Sequence, residues 1–258
     1  MEKTALFRLY MGLLLTTLRT PVWSSFLINL PEEAFLRVKS DGRNPFMEKL
    51  KMYLEPTATI DSDNEKIREK AGVITLNASN DREKAVELFY FVRDSIRYSA
   101  YMISVFIEDF VASRILEWGK GYCVQKAVLL TALARASGIP SRIAFARIRN
   151  HGVSEKVAEM AGGNVFPRHG YNQFFIDGRW VSVTATFDKK LCKEHRWPTV
   201  EFDGESDAIL PARDLDGNPY IEYLEKFSPV EDLPFDWVYQ SVSRRVGTEK
   251  RAWVKPQK

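Results

Sequence analysis

The stretch GKGYCVQKAVLLTALARASGIPSRI, residues 119–143, restricts the fold more than any other part of the chain. Read as a helix from Cys123, it turns Val124, Ala127, Val128, Leu129, Leu130, Ala132, Leu133 and Ala134 to nearly every side. A helix that is apolar all round is stable only when other elements cover most of its surface. Gly138 and Pro140 stop it, and Gly119 and Gly121 precede it. The fold must therefore be built around this segment. Its first residue is a cysteine, placed where backbone N–H groups lack intrahelical partners and the helix dipole is positive.

The flanking sequence supplies the cover. Ile60–Ala71 reads as a short charged helix. Asn80 or Asp81 caps a further helix to about Ser99, with Ala85, Leu88, Phe89, Val92 and Ile96 forming one apolar stripe. Phe106–Trp118 reads as another helix. After Pro140 the period changes. Arg142–Ile148 reads as a strand, and residues 171–187, YNQFFIDGRWVSVTATF, read as a hairpin turning at Asp177-Gly178. The sequence beyond Asp188 is irregular and acidic, with helices expected near Tyr220–Phe227 and Phe235–Arg245. Helices followed by antiparallel strands predict an α+β domain over residues 50–258, preceded by an N-terminal helical extension over residues 1–49.

Composition excludes several classes. The 258 residues carry 37 basic and 34 acidic side chains, a net charge of +3, with no basic stripe of the kind nucleic acid requires. Two cysteines are too few for a disulfide framework, which favours a reducing compartment and a cytoplasmic location. The apolar run Leu9–Leu18 is too short to span a bilayer. Residues 1–25 lack a clean small-residue cleavage site, so they read as a docked helix, with a secretory signal as the alternative. No grouping has metal-ligand spacing. DLDGNPYIEYLE, from Asp214, has acidic residues at calcium-loop spacings, but Pro219 stands where such a loop needs glycine. No cofactor is expected.

The helix N-terminus makes Cys123 a candidate nucleophile, with a thiol pKa expected below the ordinary value. The same N–H groups suit an oxyanion formed by attack on a carbonyl. The bland alternative is a small buried apolar cysteine. A partner base is offered by His169, at the entrance of the first hairpin strand. If Asp177-Gly178 is a two-residue turn, Ile176 opposes Arg179, and Thr184, Thr186 and Asp188 fall on the face of His169. Asp188 then becomes the candidate carboxylate, provided no bulge breaks the parity. Cys192 and His195 form a second thiol–imidazole pair, but in a charged loop without a helix start, and read as structural. Gln125 reads as a cap of the helix start, and Trp118 and Tyr122 as core.

Together these motifs resemble the transglutaminase-like superfamily, whose fold is shared with papain-type cysteine peptidases. GYCVQKAVLLTALARASGIPSRI is similar to the family's cysteine motif, and HGYNQFFIDGRWVSVTATFD to its histidine and aspartate strands. YLEPTATIDSDNEKIREKA and EKAVELFYFVRDSIRY are similar to bacterial members. The resemblance implies a buried helix carrying Cys123 at its N-terminus, packed on an antiparallel sheet that carries His169 and an aspartate. Most members have that aspartate where this chain has Thr184. Asp188, four residues later, is therefore expected to take the role, with a vacant third position as the alternative.

The implied activity is that of a thiol-dependent hydrolase or acyltransferase, a cysteine protease or amidase. It would act on a peptide or protein amide through Cys123, His169 and Asp188 and a thioester intermediate. Hydrolysis is expected over cross-linking, because nothing in the sequence marks an amine site that would shield the acyl-enzyme from water. The contrasting expectation is a non-catalytic binding domain that kept the fold.

Overall fold

The computed structural model describes residues 45–246. The expected helical extension and the signal-peptide reading fall almost wholly outside them. In chain order the elements are α1 (Pro45–Met52), α2 (Glu65–Ile74), α3 (Asp81–Ser95), β1 (Arg97–Tyr98), α4 (Ala112–Trp118), β2 (Lys120–Gly121), α5 (Cys123–Ala136), β3 (Ser141–Asn150), α6 (Glu155–Ala161), β4 (Val165–Ile176), β5 (Arg179–Val183), α7 (Lys189–His195), β6 (Ile221–Lys226) and α8 (Phe235–Val246). The sheet is antiparallel in the order β5-β4-β3-β6, with β1 and β2 as a separate parallel pair.

Helix α5 lies at the centre, as its composition demands. Every residue from Val124 to Arg135 is buried. Strands β3 and β4 cover one side, and α2, α3 and α4 cover the rest. Its few polar side chains are all engaged. Lys126 Nζ donates to the carbonyls of Arg93 (3.1 Å) and Ile96 (2.6 Å), tying the end of α3 to the helix. Asn172 Nδ2 on β4 donates to Ala127 O and Thr131 Oγ1, both at 2.8 Å. Arg135 donates to the carbonyls of Glu55, Ser141 and Glu231, and burial lowers its pKa to about 10.

The hairpin register follows its turn. Asp177 and Gly178 both have positive φ, 49° and 82°, as a two-residue turn with the strand's own twist requires. Ile176 pairs with Arg179, and the ladder runs to Asn172↔Val183. The ladder ends there, while on the outer edge of β5 the N–H of Thr184 donates to Ala208 O (2.8 Å). The alternating faces therefore stop short of Thr186 and Asp188.

Several expected elements differ in detail. Asn64, whose side chain accepts from Lys66 N, starts α2 later than Ile60. The expected helix Phe106–Trp118 divides at Val111 into a 3-10 turn and α4. The expected helix near Tyr220–Phe227 is instead the strand β6. Its apolar residues have helical spacing, but the free edge of β3 offers a row of unpaired backbone groups, and pairing there satisfies both chains. Helices α6 and α7 have no counterpart among the expected elements. The first is a short helix closed by Gly162 at φ 70°, and the second is started by Asp188.

Because Arg135 closes three carbonyls with one buried cation, Arg135→Met leaves acceptors without donors. The expected loss is about 3 kcal/mol, or a melting temperature lower by roughly 6–12 °C for a domain of this size. Thermal unfolding followed by circular dichroism checks it; a shift under 2 °C would remove Arg135 from this role.

Candidate active site

Cys123 opens α5. The Tyr122 N–H just before it donates to Gln125 Oε1 (3.1 Å), and Gln125 Nε2 donates to Asp109 O (2.9 Å), so Gln125 fixes the helix start from within, as expected. The start of α5 also presses directly on β4. A Cβ on Gly170 would stand 3.0 Å from Val124 Cα, so only glycine allows this approach without displacement. The contact places the thiol beside the residue that follows His169.

The expected low thiol pKa is not what this setting produces. The residue is half-buried, and enclosure of the thiol pushes its pKa up to about 11. The backbone N–H groups of Gly170, Val124 and Cys123 itself act in the other direction without overcoming it. The helix start supplies donors, but desolvation of the charged form dominates. Burial also raises the phenols of Tyr98 and Tyr122, with the thiolate form of Cys123 adding to both shifts.

His169 lies on β4 opposite Ala146 and is 3% exposed. Its ring is flanked by Tyr171, nearly parallel at 6.3 Å between centroids, and by Tyr223 at 6.4 Å. Its Nε2 is covered and makes no hydrogen bond, and no hydrogen bond joins it to Cys123. Burial lowers its pKa to about 4. The two residues nevertheless line one cavity of ≈ 90 Å³, together with Tyr98, Tyr122 and Thr186 and with side chains of β3, β4, α6 and α8.

Asp188 lies apart from the imidazole in its hydrogen bonding. Oδ1 accepts from Leu191 N–H (2.9 Å), capping α7, and Oδ2 accepts from Tyr98 N–H (3.0 Å). Both oxygens thus hold backbone, and none of their hydrogen bonds reaches His169. The parity argument that put Asp188 beside His169 does not apply, since the ladder of β5 with β4 ends at Val183. Thr184 is buried, with Oγ1 lacking a hydrogen bond of ordinary geometry; Tyr223, whose hydroxyl accepts from Leu210 N–H at 3.2 Å, is its polar neighbour. Thr186 lines the cavity. Sequence reasoning misses Tyr98, which no local pattern distinguishes, and the wall contributed by α6 and α8.

The remaining candidates sit elsewhere. Cys192 is buried in the core, its thiol donating to Phe187 O at 3.9 Å, while His195 stacks on Trp197 at 4.6 Å. His151 Nε2 is 3.7 Å from Glu222. Asp214 closes its own turn by accepting from the N–H groups of Asp216 and Asn218. Among the described residues no His, Cys, Asp and Glu cluster has the arrangement of a metal site, and no helix is long and apolar enough to cross a membrane.

Comparison with known proteins adds the family. The transglutaminase-like superfamily matches residues 68–185, which run from α2 through the hairpin and include Cys123 and His169. No curated protein matches. Among solved structures, a candidate cysteine protease from Cytophaga hutchinsonii is 15% identical, with 78% of this chain and 57% of that chain covered and a TM-score of 0.44. A candidate protease from Parabacteroides distasonis is 16% identical over 54% of this chain and 25% of that one, TM-score 0.35. A protein described as a TGase is 18% identical over 58% and 40%, TM-score 0.34. The chain thus spans little more than half the length of the first of these. The buried helix that carries Cys123 and the strand that carries His169 both lie in residues 68–185, the part of this chain that matches the transglutaminase-like superfamily.

Proposed function

We propose that this chain is a thiol-dependent hydrolase of peptide or protein amides, with Cys123 as nucleophile and His169 as general base. The observation that carries this reading is that a helix-start cysteine and a buried histidine line one cavity. As Sγ attacks the amide carbonyl carbon, the thiol proton passes to the imidazole and the carbonyl oxygen takes the negative charge. The N–H groups at the start of α5 are the donors nearest that charge. Collapse expels the amine, which takes the proton from His169 and leaves a thioester. Water attacks the thioester while His169 accepts its proton, and the carboxylate and free thiol are released. The imidazole must turn toward Sγ for the first step, since catalytic hydrogen bonds in substrate-free sites are often unformed. An amine in place of water would give transfer.

Asp188 enters this reading as a positioning residue. Its two bonds hold the backbone of Tyr98, which lines the cavity, and the start of α7, which follows it. The second reading, a binding domain without turnover, is favoured by the same bonds and by Thr184 at the family's carboxylate position. A Cys–His pair without a carboxylate on the imidazole would be a weak catalyst.

Burial leaves the pair neutral between about pH 4 and 11. Iodoacetamide should therefore modify half-buried Cys123 before buried Cys192, and at least tenfold faster at pH 9 than at pH 6. Peptide mapping by mass spectrometry reads this. A rapid, pH-independent reaction from pH 5 upward would mean a thiolate–imidazolium pair instead.

The histidine also gives a stability signature. Its folded pKa of about 4 lies below the ordinary histidine value of 6.5, so the unfolded chain binds more protons in that window. Its contribution should rise as pH rises from 4 to 6.5 and be lost on acidification through the same range. His169→Gln should flatten that part of the unfolding free energy against pH; an unchanged slope would argue against a buried neutral imidazole.

Cys123→Ala and His169→Ala should abolish amide hydrolysis. Asp188→Asn should lower the melting temperature by about 2–8 °C through weakened cap bonds of about 1–2 kcal/mol, and reduce turnover far less. A loss of several orders of magnitude with an unshifted melting curve would place the Asp188 carboxylate on the imidazole after all.

A further inference from the structure

We propose that the cavity beside Cys123 selects a branched or unbranched aliphatic side chain, of leucine, isoleucine or methionine size, on the acyl side of the scissile bond. This rests on the thiol-enzyme reading for the bond cleaved, but the recognition itself rests on the wall. Val157 and Ala161 of α6, Val238 and Val242 of α8, Ile148 of β3 and Phe166 of β4 form that wall. Such a lining favours apolar surface in proportion to the area removed from water. The ≈ 90 Å³ is smaller than the roughly 150 Å³ of an apolar cavity known to take benzene, which suits an aliphatic chain better than an aromatic ring.

The polar side chains of the lining are partly engaged. Arg168 lays its guanidinium on Trp237 (3.5 Å to the ring centroid) and donates from Nη1 to Pro167 O (3.1 Å), while its covered Nε makes no hydrogen bond. Asn150 Oδ1 accepts from Gly152 N–H (2.9 Å), and Ser241 Oγ donates to Val238 O (2.7 Å). An amide or ammonium entering the cavity would lose water against the apolar side chains of α6 and α8. A second cation beside Arg168 would add like-charge repulsion. Discrimination thus comes from desolvation of the polar side chain against an apolar wall, the weaker form of selectivity, worth about tenfold to a hundredfold.

The test uses N-acetyl amino-acid thiobenzyl esters of leucine, isoleucine, methionine, phenylalanine, glutamine, glutamate and lysine with the full chain. Thiol release and the acyl mass on Cys123 are followed together. The aliphatic donors should exceed glutamine, glutamate and lysine at least tenfold in kcat/KM. Val157→Trp and, independently, Val242→Trp should reduce that preference to within threefold, with folding checked by thermal melts. In parallel, Cys123→Ala is titrated with the corresponding N-acetyl amides by NMR. No acylation by any donor, with selective binding of the leucine amide, would sink the hydrolase reading and leave the cavity assignment standing. Equal rates, a preference for glutamine, glutamate, lysine or phenylalanine, or the absence of both acylation and selective binding would overturn the inference.

Discussion

The contact between the first turn of α5 and Gly170 of β4 governs both the packing of the core and the placement of the thiol. At 3.0 Å from Val124 Cα to the place a Cβ would occupy, the helix lies against strand backbone with no side chain between. That approach lets Asn172, two residues on, reach the helix carbonyl of Ala127 and the hydroxyl of Thr131. It also sets Cys123 beside the strand that carries His169. The apolar surface of α5 drives the burial, and the glycine permits the distance. Lys126 and Arg135 then fasten the two ends of the helix to carbonyls of neighbouring segments. Buried cations bonded to carbonyls are costly alone, but removing one partner costs more, so the helix is held in one position.

The same burial governs the chemistry. A helix start favours a thiolate, yet the protein enclosing Cys123 disfavours any charge, and the second effect wins. The imidazole of His169 responds to enclosure in the opposite direction and stays neutral. A site made this way does not store an ion pair in the resting state. On the proposed hydrolase reading, charge separation belongs to the moment of attack, where the N–H groups at the helix start meet it.

How far the sequence discloses this depends on range. The buried helix, the Asn80 cap, the Gln125 brace and the Asp177-Gly178 turn are local, each set by residues within a few positions. The hairpin pairing follows from its turn. What escapes is decided at long range. Strand β6 has helical spacing of apolar residues and becomes a strand because β3 has an open edge. The ladder of β5 with β4 ends at Val183, and the outer edge of β5 meets Ala208, 25 residues beyond. The chain past that end carries Asp188 to Tyr98 and the start of α7, which alternation along a continuous strand could not anticipate. The elevated thiol pKa is hidden for a related reason: the helix start is visible in sequence, whereas the enclosure around it is assembled from α6, α8 and three strands.

An enclosed neutral pair and an apolar wall are consistent with each other. An ammonium placed in the cavity would be desolvated at the cost that keeps Cys123 and His169 uncharged and would meet the Arg168 cation, whereas a carboxylate would set that cost against the attraction of Arg168. An aliphatic side chain carries no such cost and displaces water from the wall, lowering the local dielectric further. The lower dielectric strengthens the pull of the helix-start N–H groups on a developing oxyanion and also raises the cost of forming a thiolate and an imidazolium from the neutral pair. On the proposed hydrolase reading, the oriented donors must therefore offset the charge that attack creates. On the proposed reading, substrate selection and activation of the nucleophile both draw on the apolar enclosure between α5, α6 and α8.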